Sequence, residues 1–285
     1  MFAEAYKKGA AFTRPVVISA VTGAGQCFSS IGTFVHLNNE GWIATAAHIL
    51  TMAEQWLPQV ASVRAAESQI AELSSSPEGT PQADDLRVAI AGQIKKFSYW
   101  WAYDRVQLVE VAMNLEADIA IGRLSPFDPS WVAAYPDIKD PAQGVDCGTS
   151  VCRLGYAFND LAPQWDGSNF LLPDEVYTMP RFPNEGIITR HVLVGSHPVG
   201  YNVGFLETST PGLRGQSGGP IFDQHGTVWA IQSKTMHLPL GFSPAVPGNP
   251  GQVEHQFLNV GWGTHPETLV GLLRERGVSF NMSSY

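Results

Sequence analysis

Apolar runs in this chain are short, and glycine or proline closes most of them; there are 28 glycines and 20 prolines. Such punctuation suits strands joined by tight turns and leaves little room for helices, so the pattern predicts an all-β protein. Strands are expected at 16–21, 32–37, 41–46, 106–111, 119–124, 150–155, 186–194, 204–208, 220–223, 227–232 and 254–260. Two regions break the rhythm. Residues 51–73 are rich in Ala, Glu, Gln and Leu and lack glycine, which predicts one or two helices with Pro58 as the interruption. The stretch SSSPEGTPQAD at 74–84 reads as a polar loop. Near the end, Thr264-His265-Pro266-Glu267 predicts a helix over about 266–276, with Thr264 or His265 as cap, Pro266 as first helical residue and Gly277 as stop. The expected organisation is two β-rich halves, 1–140 with a helical insertion at about 51–100, and 141–285 with the terminal helix.

Composition narrows the function classes. With 44% hydrophobic and 15% charged residues, the 285-residue chain can bury a core. Its 17 basic and 26 acidic residues give a net charge of −9, and no Lys/Arg cluster stands out, which argues against nucleic-acid binding. No run reaches the roughly 20 apolar residues of a membrane span. The first residues carry Lys7, Lys8 and Arg14 but no leader-like apolar stretch, so a cytoplasmic location is expected. Cys27, Cys147 and Cys152 are odd in number and irregular in spacing, so they are expected as reduced, buried thiols.

Three segments carry candidate chemistry. In Gly212-Leu-Arg-Gly-Gln-Ser-Gly-Gly-Pro220, a serine flanked by glycines sits where the backbone must turn sharply. Such a turn can aim the N–H groups of Gly215 and Ser217 at one carbonyl oxygen, the requirement of an oxyanion hole; a plain polar hairpin loop is the bland alternative. A serine hydroxyl needs a base. His48 ends the strand-like Trp42-Ile-Ala-Thr-Ala-Ala-His48, a setting that the other histidines lack, although a core histidine is the alternative. The base needs an orienting carboxylate. Asp118 opens the apolar run Ile-Ala-Ile-Gly-Arg-Leu; it could also be a turn cap or a partner of Arg123, and Glu116 and Asp104 compete for the role.

Taken together, these segments resemble the trypsin-like, chymotrypsin-fold serine proteases, closest to HtrA/Deg-type bacterial peptidases. The order His48, Asp118, Ser217 separates that family from subtilisins and α/β-hydrolases. The resemblance spans roughly 15–275. It includes Gly41–His48 as the histidine strand, Ala117–Ile121 as the aspartate strand, Gly186-Ile-Ile-Thr189 as a second-barrel strand and Phe205-Leu-Glu-Thr208 as the strand before the serine loop. It implies two six-stranded β-barrels and a Ser-His-Asp endopeptidase acting on protein or peptide, with no metal and no cofactor.

Departures from the family pattern shape the expectation further. Gln216 stands where zymogen-activated relatives carry Asp, so activation by a new N-terminus is not expected. Because the chain ends soon after the terminal helix, the PDZ domain usual in HtrA proteases is not expected. The 51–100 insertion is open to use as a lid, an oligomer contact or a dock for a regulatory protein. The resemblance places the substrate pocket at Pro211, Gln232, Ser233 and Lys234, with Ile231–Thr235 as the edge strand that pairs with substrate. Pro211 offers no counter-charge for a basic side chain, and Gln232 replaces the His of glutamate-specific relatives. A small, apolar or amide side chain is the expectation. Two other readings stay open: a silent protease-fold scaffold and an esterase with the same triad.

Overall fold

A computed structural model describes residues 2–75, 79–243, 251 and 256–285. Helix α1 (Ala3–Phe12) leads into six antiparallel strands: β1 (Thr13–Thr22), β2 (Cys27–His36), β3 (Trp42–Ala46), β4 (Ile94–Trp100), β5 (Gln107–Asn114) and β6 (Ile119–Ser125). Their order is β4-β1-β2-β3-β6-β5, and β4 and β5 do not pair with each other, so this unit is open at one seam. Large apolar residues fill its interior: Val16, Ile18, Phe34, Ile43 and Leu124 pack with Ile49 and Trp101.

The second half adds β7 (Asp137–Ile138), β8 (Ser150–Gly155), the short hairpin β9 (Gln164–Trp165) and β10 (Phe170–Leu171), β11 (Phe182–Ser196), β12 (Asn202–Thr208), β13 (Pro220–Phe222), β14 (Val228–Pro239), β15 (Phe257–Thr264) and β16 (Asn281–Met282). Six of these form a closed ring, β8-β11-β12-β15-β14-β13 and back to β8. Strands β7 and β16 extend it from β14 in parallel. A shared core joins the two units. It contains Val35, Ile119 and Ile121 from the first, and Leu154, Phe222 and Ile231 from the second. The architecture is the chymotrypsin-like double barrel.

The helical insertion is longer at its start and shorter at its end than expected. It comprises α2 (Ala47–Glu54), α3 (Leu57–Leu73) and α4 (Thr80–Ile90), and β4 follows before residue 100. Pro58 does divide the first two helices, sitting in the first turn of α3, where its missing N–H costs nothing. Residues 76–78 of the loop expected at 74–84 lie outside the described residues, and from Thr80 onward that loop gives way to α4, in whose first turn Pro81 sits. Helix α1 was not expected. It packs on the second unit, with Phe2 edge-on to Phe222 and Lys8 donating to the His225 carbonyl. The terminal helix α5 (Pro266–Glu275) is capped by His265, whose Nδ1 accepts from the Glu267 N–H.

Residues 254 and 255 of the strand expected at 254–260 lie outside the described residues. Only one thiol meets the expectation of burial: Cys152 is buried, Cys27 half-buried and Cys147 exposed, and all are free. No helix among the described residues is long and apolar enough to cross a membrane.

Candidate active site

His48 is the second residue of α2, where the chain leaves β3. Register brings its partner close, since Ala46 pairs with Ile119. Asp118, just before β6, adopts a left-handed conformation with φ of +51°, strained for a residue with a Cβ. The turn is pinned from several sides. Its backbone carbonyl accepts from the Ala47 N–H at 3.1 Å. Asn114 accepts from the Ala117 N–H. Thr264, on the second barrel, donates to the Ala117 carbonyl.

The Asp118 carboxylate accepts the His48 backbone N–H at 2.9 Å through Oδ1. Through Oδ2 it meets His48 Nδ1 at 2.8 Å and the Ser233 hydroxyl at 2.6 Å. Burial pushes its pKa up, but the hydrogen bonds from His48 and Ser233 outweigh that effect and hold the pKa below its usual 3.8. A carboxylate can only accept, so Nδ1 carries a proton, and in the neutral ring Nε2 is the nitrogen with the lone pair.

Ser217 lies in the loop between β12 and β13. Its backbone carbonyl accepts from Thr33 on β2, while Gly218 and Gly219 exchange hydrogen bonds with Gln232 on β14. The loop thus docks on both barrels. Gly218 has φ of +82°, and a Cβ there would overlap the Thr33 carbonyl, so only glycine fits. The Gly215 carbonyl is held inward by the Thr33 hydroxyl at 2.7 Å and the Tyr156 N–H at 3.1 Å. Gln216, fully buried, accepts the Leu213 N–H and donates to the Phe182 carbonyl. The N–H groups of Gly215 and Ser217 have no acceptor among the described residues.

His48, Ser217, Gln232, Ser233 and Lys234 line one cleft of about 380 Å³. Pro211 stands behind its wall, with its carbonyl taken by Arg153 and Asn184. The Ser217 hydroxyl donates to the Ser233 carbonyl at 3.4 Å and makes no hydrogen bond to His48 in this conformation. Sequence reasoning placed Ser233 against substrate and missed its bond to Asp118. It also missed Arg153, whose place under the loop depends on strand pairing that no local motif encodes.

The trypsin-like peptidase domain family matches residues 32–231, well over half of the chain, and the chain belongs to that family. It therefore carries a trypsin-like peptidase domain on a double-barrel fold. Solved structures similar to it include an HtrA-type protease, AlgW, with a tripeptide. That pair shares 15% identity over 98% of this chain and 64% of the other, with a TM-score of 0.45. Another is a protease from M. tuberculosis in its active form, with 14% identity over 96% of this chain and 85% of that one, and a TM-score of 0.45. No curated protein matches this chain.

Proposed function

We propose that this chain is a serine endopeptidase in which Ser217 is the nucleophile, His48 the base and Asp118 the group that orients the base. The observation that carries the reading is the grip of Asp118 on both the backbone N–H and the ring Nδ1 of His48, which leaves Nε2 as the free base beside Ser217. A rotation about the Ser217 Cα–Cβ bond takes its hydroxyl from the Ser233 carbonyl to Nε2; in resting enzymes such bonds are often not yet formed. Ser217 Oγ then attacks the peptide carbonyl while its proton passes to Nε2. The oxygen, now negative, is received by the unengaged N–H groups of Gly215 and Ser217. Collapse breaks the C–N bond, Nε2 returns the proton to the leaving amine, and water hydrolyses the acyl-enzyme by the same steps. Ser233 acts through Asp118 as a positioning residue. Substrate pairs with the edge of β14 from Ser233 onward, an edge that no described strand covers. The hairpin of α3 and α4, with its own small core of Val63, Ala66 and Ile90, is the natural dock for a regulatory partner.

Hydrolysis of a mixed peptide pool, followed by mass spectrometry, tests this reading. Wild type should generate new termini, and Ser217→Ala and His48→Ala should not. A second reading, a binding scaffold, is favoured by the engagement of the Ser217 hydroxyl with Ser233. It gains support if wild type and both variants leave the pool intact.

A further inference from the structure

We propose that the cleft selects peptides carrying an acidic side chain beside the scissile bond, drawn by the positive field of Arg153, Arg214 and Lys234. The inference rests on the peptidase reading above and names its substrate class. The whole chain has a net charge of −9, yet the lining beside Ser217 and His48 contains Arg214 and Lys234 and no Asp or Glu; the nearby Asp118 carboxylate is already engaged by His48 and Ser233. Neither cation forms an ion pair with a described residue. Lys234 is nevertheless held in place. Its Nζ sits over the rings of Phe205 at 4.8 Å and Trp262 at 5.3 Å, which orders the side chain without neutralising it.

The third cation lies beneath the wall. Arg153 is 1% exposed, and its guanidinium donates to the Pro211 carbonyl at 2.9 Å, the Thr208 hydroxyl at 2.6 Å and the Thr210 carbonyl at 3.3 Å. All of these acceptors are neutral. Its Nε, also buried, has no partner among the described residues. Burial lowers its pKa to about 10, so it stays charged at neutral pH. A buried cation without a counter-ion is costly to keep, and its field is weakly screened. Its acceptors at 210 and 211 lead directly into Gly212, a cleft residue, so the field falls on the cleft. A substrate carboxylate supplies the missing counter-charge, whereas a Lys or Arg side chain meets three like charges. The small, apolar or amide preference expected from sequence gives way to this reading because only folding reveals Arg153 under Pro211.

Binding to the Ser217→Ala variant tests the inference without requiring catalysis. Fluorescent Ala/Ser peptides that differ at one central residue, Glu, Gln or Lys, are titrated and followed by anisotropy. The Glu peptide is expected to bind at least about tenfold tighter than the Gln peptide, and the Lys peptide more weakly than either. The advantage should shrink toward about 0.5 M salt. Because Arg153→Met would strip buried hydrogen bonds that hold the fold, the charge reversals Lys234→Glu and Arg214→Glu are made instead in the Ser217→Ala background, with thermal melts to check folding. Each should reduce the Glu advantage, and together they should reverse it. Equal affinity for the Glu and Gln peptides, tighter Lys binding, or no measurable Glu binding would overturn the proposal. Failure of wild type to cut any peptide would instead count against the peptidase reading and leave this comparison readable.

Discussion

Asp118 carries two costs, a left-handed backbone and a buried carboxylate. Both are offset by the donors gathered around it from β14 and from the start of α2. Replacing it by Asn keeps the shape but offers His48 Nδ1 an N–H group, which favours the tautomer with the proton on Nε2. Asp118→Asn should therefore lower kcat roughly ten-thousand-fold, with a much smaller change in KM, in steady-state peptide hydrolysis. Ser233→Ala removes one hydrogen bond to a charged acceptor, worth about 1.5–3 kcal/mol. It should lower kcat about tenfold, move the acid limb of the pH–rate profile, and be rescued in part by Ser233→Thr.

At the scale of elements, the serine loop works because it is tied to both barrels. Gly218→Ala would force apart the contact with the Thr33 carbonyl, and it should destabilise the fold by more than about 1 kcal/mol in urea unfolding. Glycine spacing made this loop legible in sequence, as strand-length apolar runs did for β1, β3, β6 and β12. Other elements were hidden for identifiable reasons. Helix α1 is short, contains Gly9 and is followed closely by Pro15. Helix α4 begins in a segment whose Gly79 and Pro81 read as loop, although proline is at home in a first turn. Paired lysines at 95 and 96 break the apolar pattern of β4. The three positions proposed as a triad, His48, Asp118 and Ser217, could be read from local motifs. The Ser233–Asp118 bond and the position of Arg153 could not, because each depends on segments distant in the chain meeting across the fold.

The whole molecule keeps its site at the junction of two barrels joined by a shared core, so global stability and site geometry are linked. Acid should act on both. The folded pKa of Asp118 lies below 3.8, so its contribution is full above 3.8 and is lost as pH falls through the folded value. Burial, with Arg14 nearby, lowers the pKa of His36 to about 3, and burial with His191 lowers that of His265 to about 4. The unfolded chain takes up these protons first, from about 6.5 downward, so stability should decline from pH 6.5 toward 4. His36 packs against Phe34 and Phe127, and its buried Nδ1 has no partner among the described residues. His36→Phe should leave the melting temperature at pH 7 within a few degrees of wild type. Between pH 7 and 4.5 the variant should lose about 5 °C less than wild type in calorimetry.

In the proposed mechanism the fold makes Ser217 a nucleophile through His48 and Asp118. Its most direct test is intact-mass measurement after reaction with a fluorophosphonate, comparing wild type with Ser217→Ala and Asp118→Asn. One adduct is expected on wild type, mapped to Ser217, with none on Ser217→Ala and strongly slowed labelling of Asp118→Asn. A wild-type protein that stays unlabelled, or labels equally fast with Asn at 118, would contradict it.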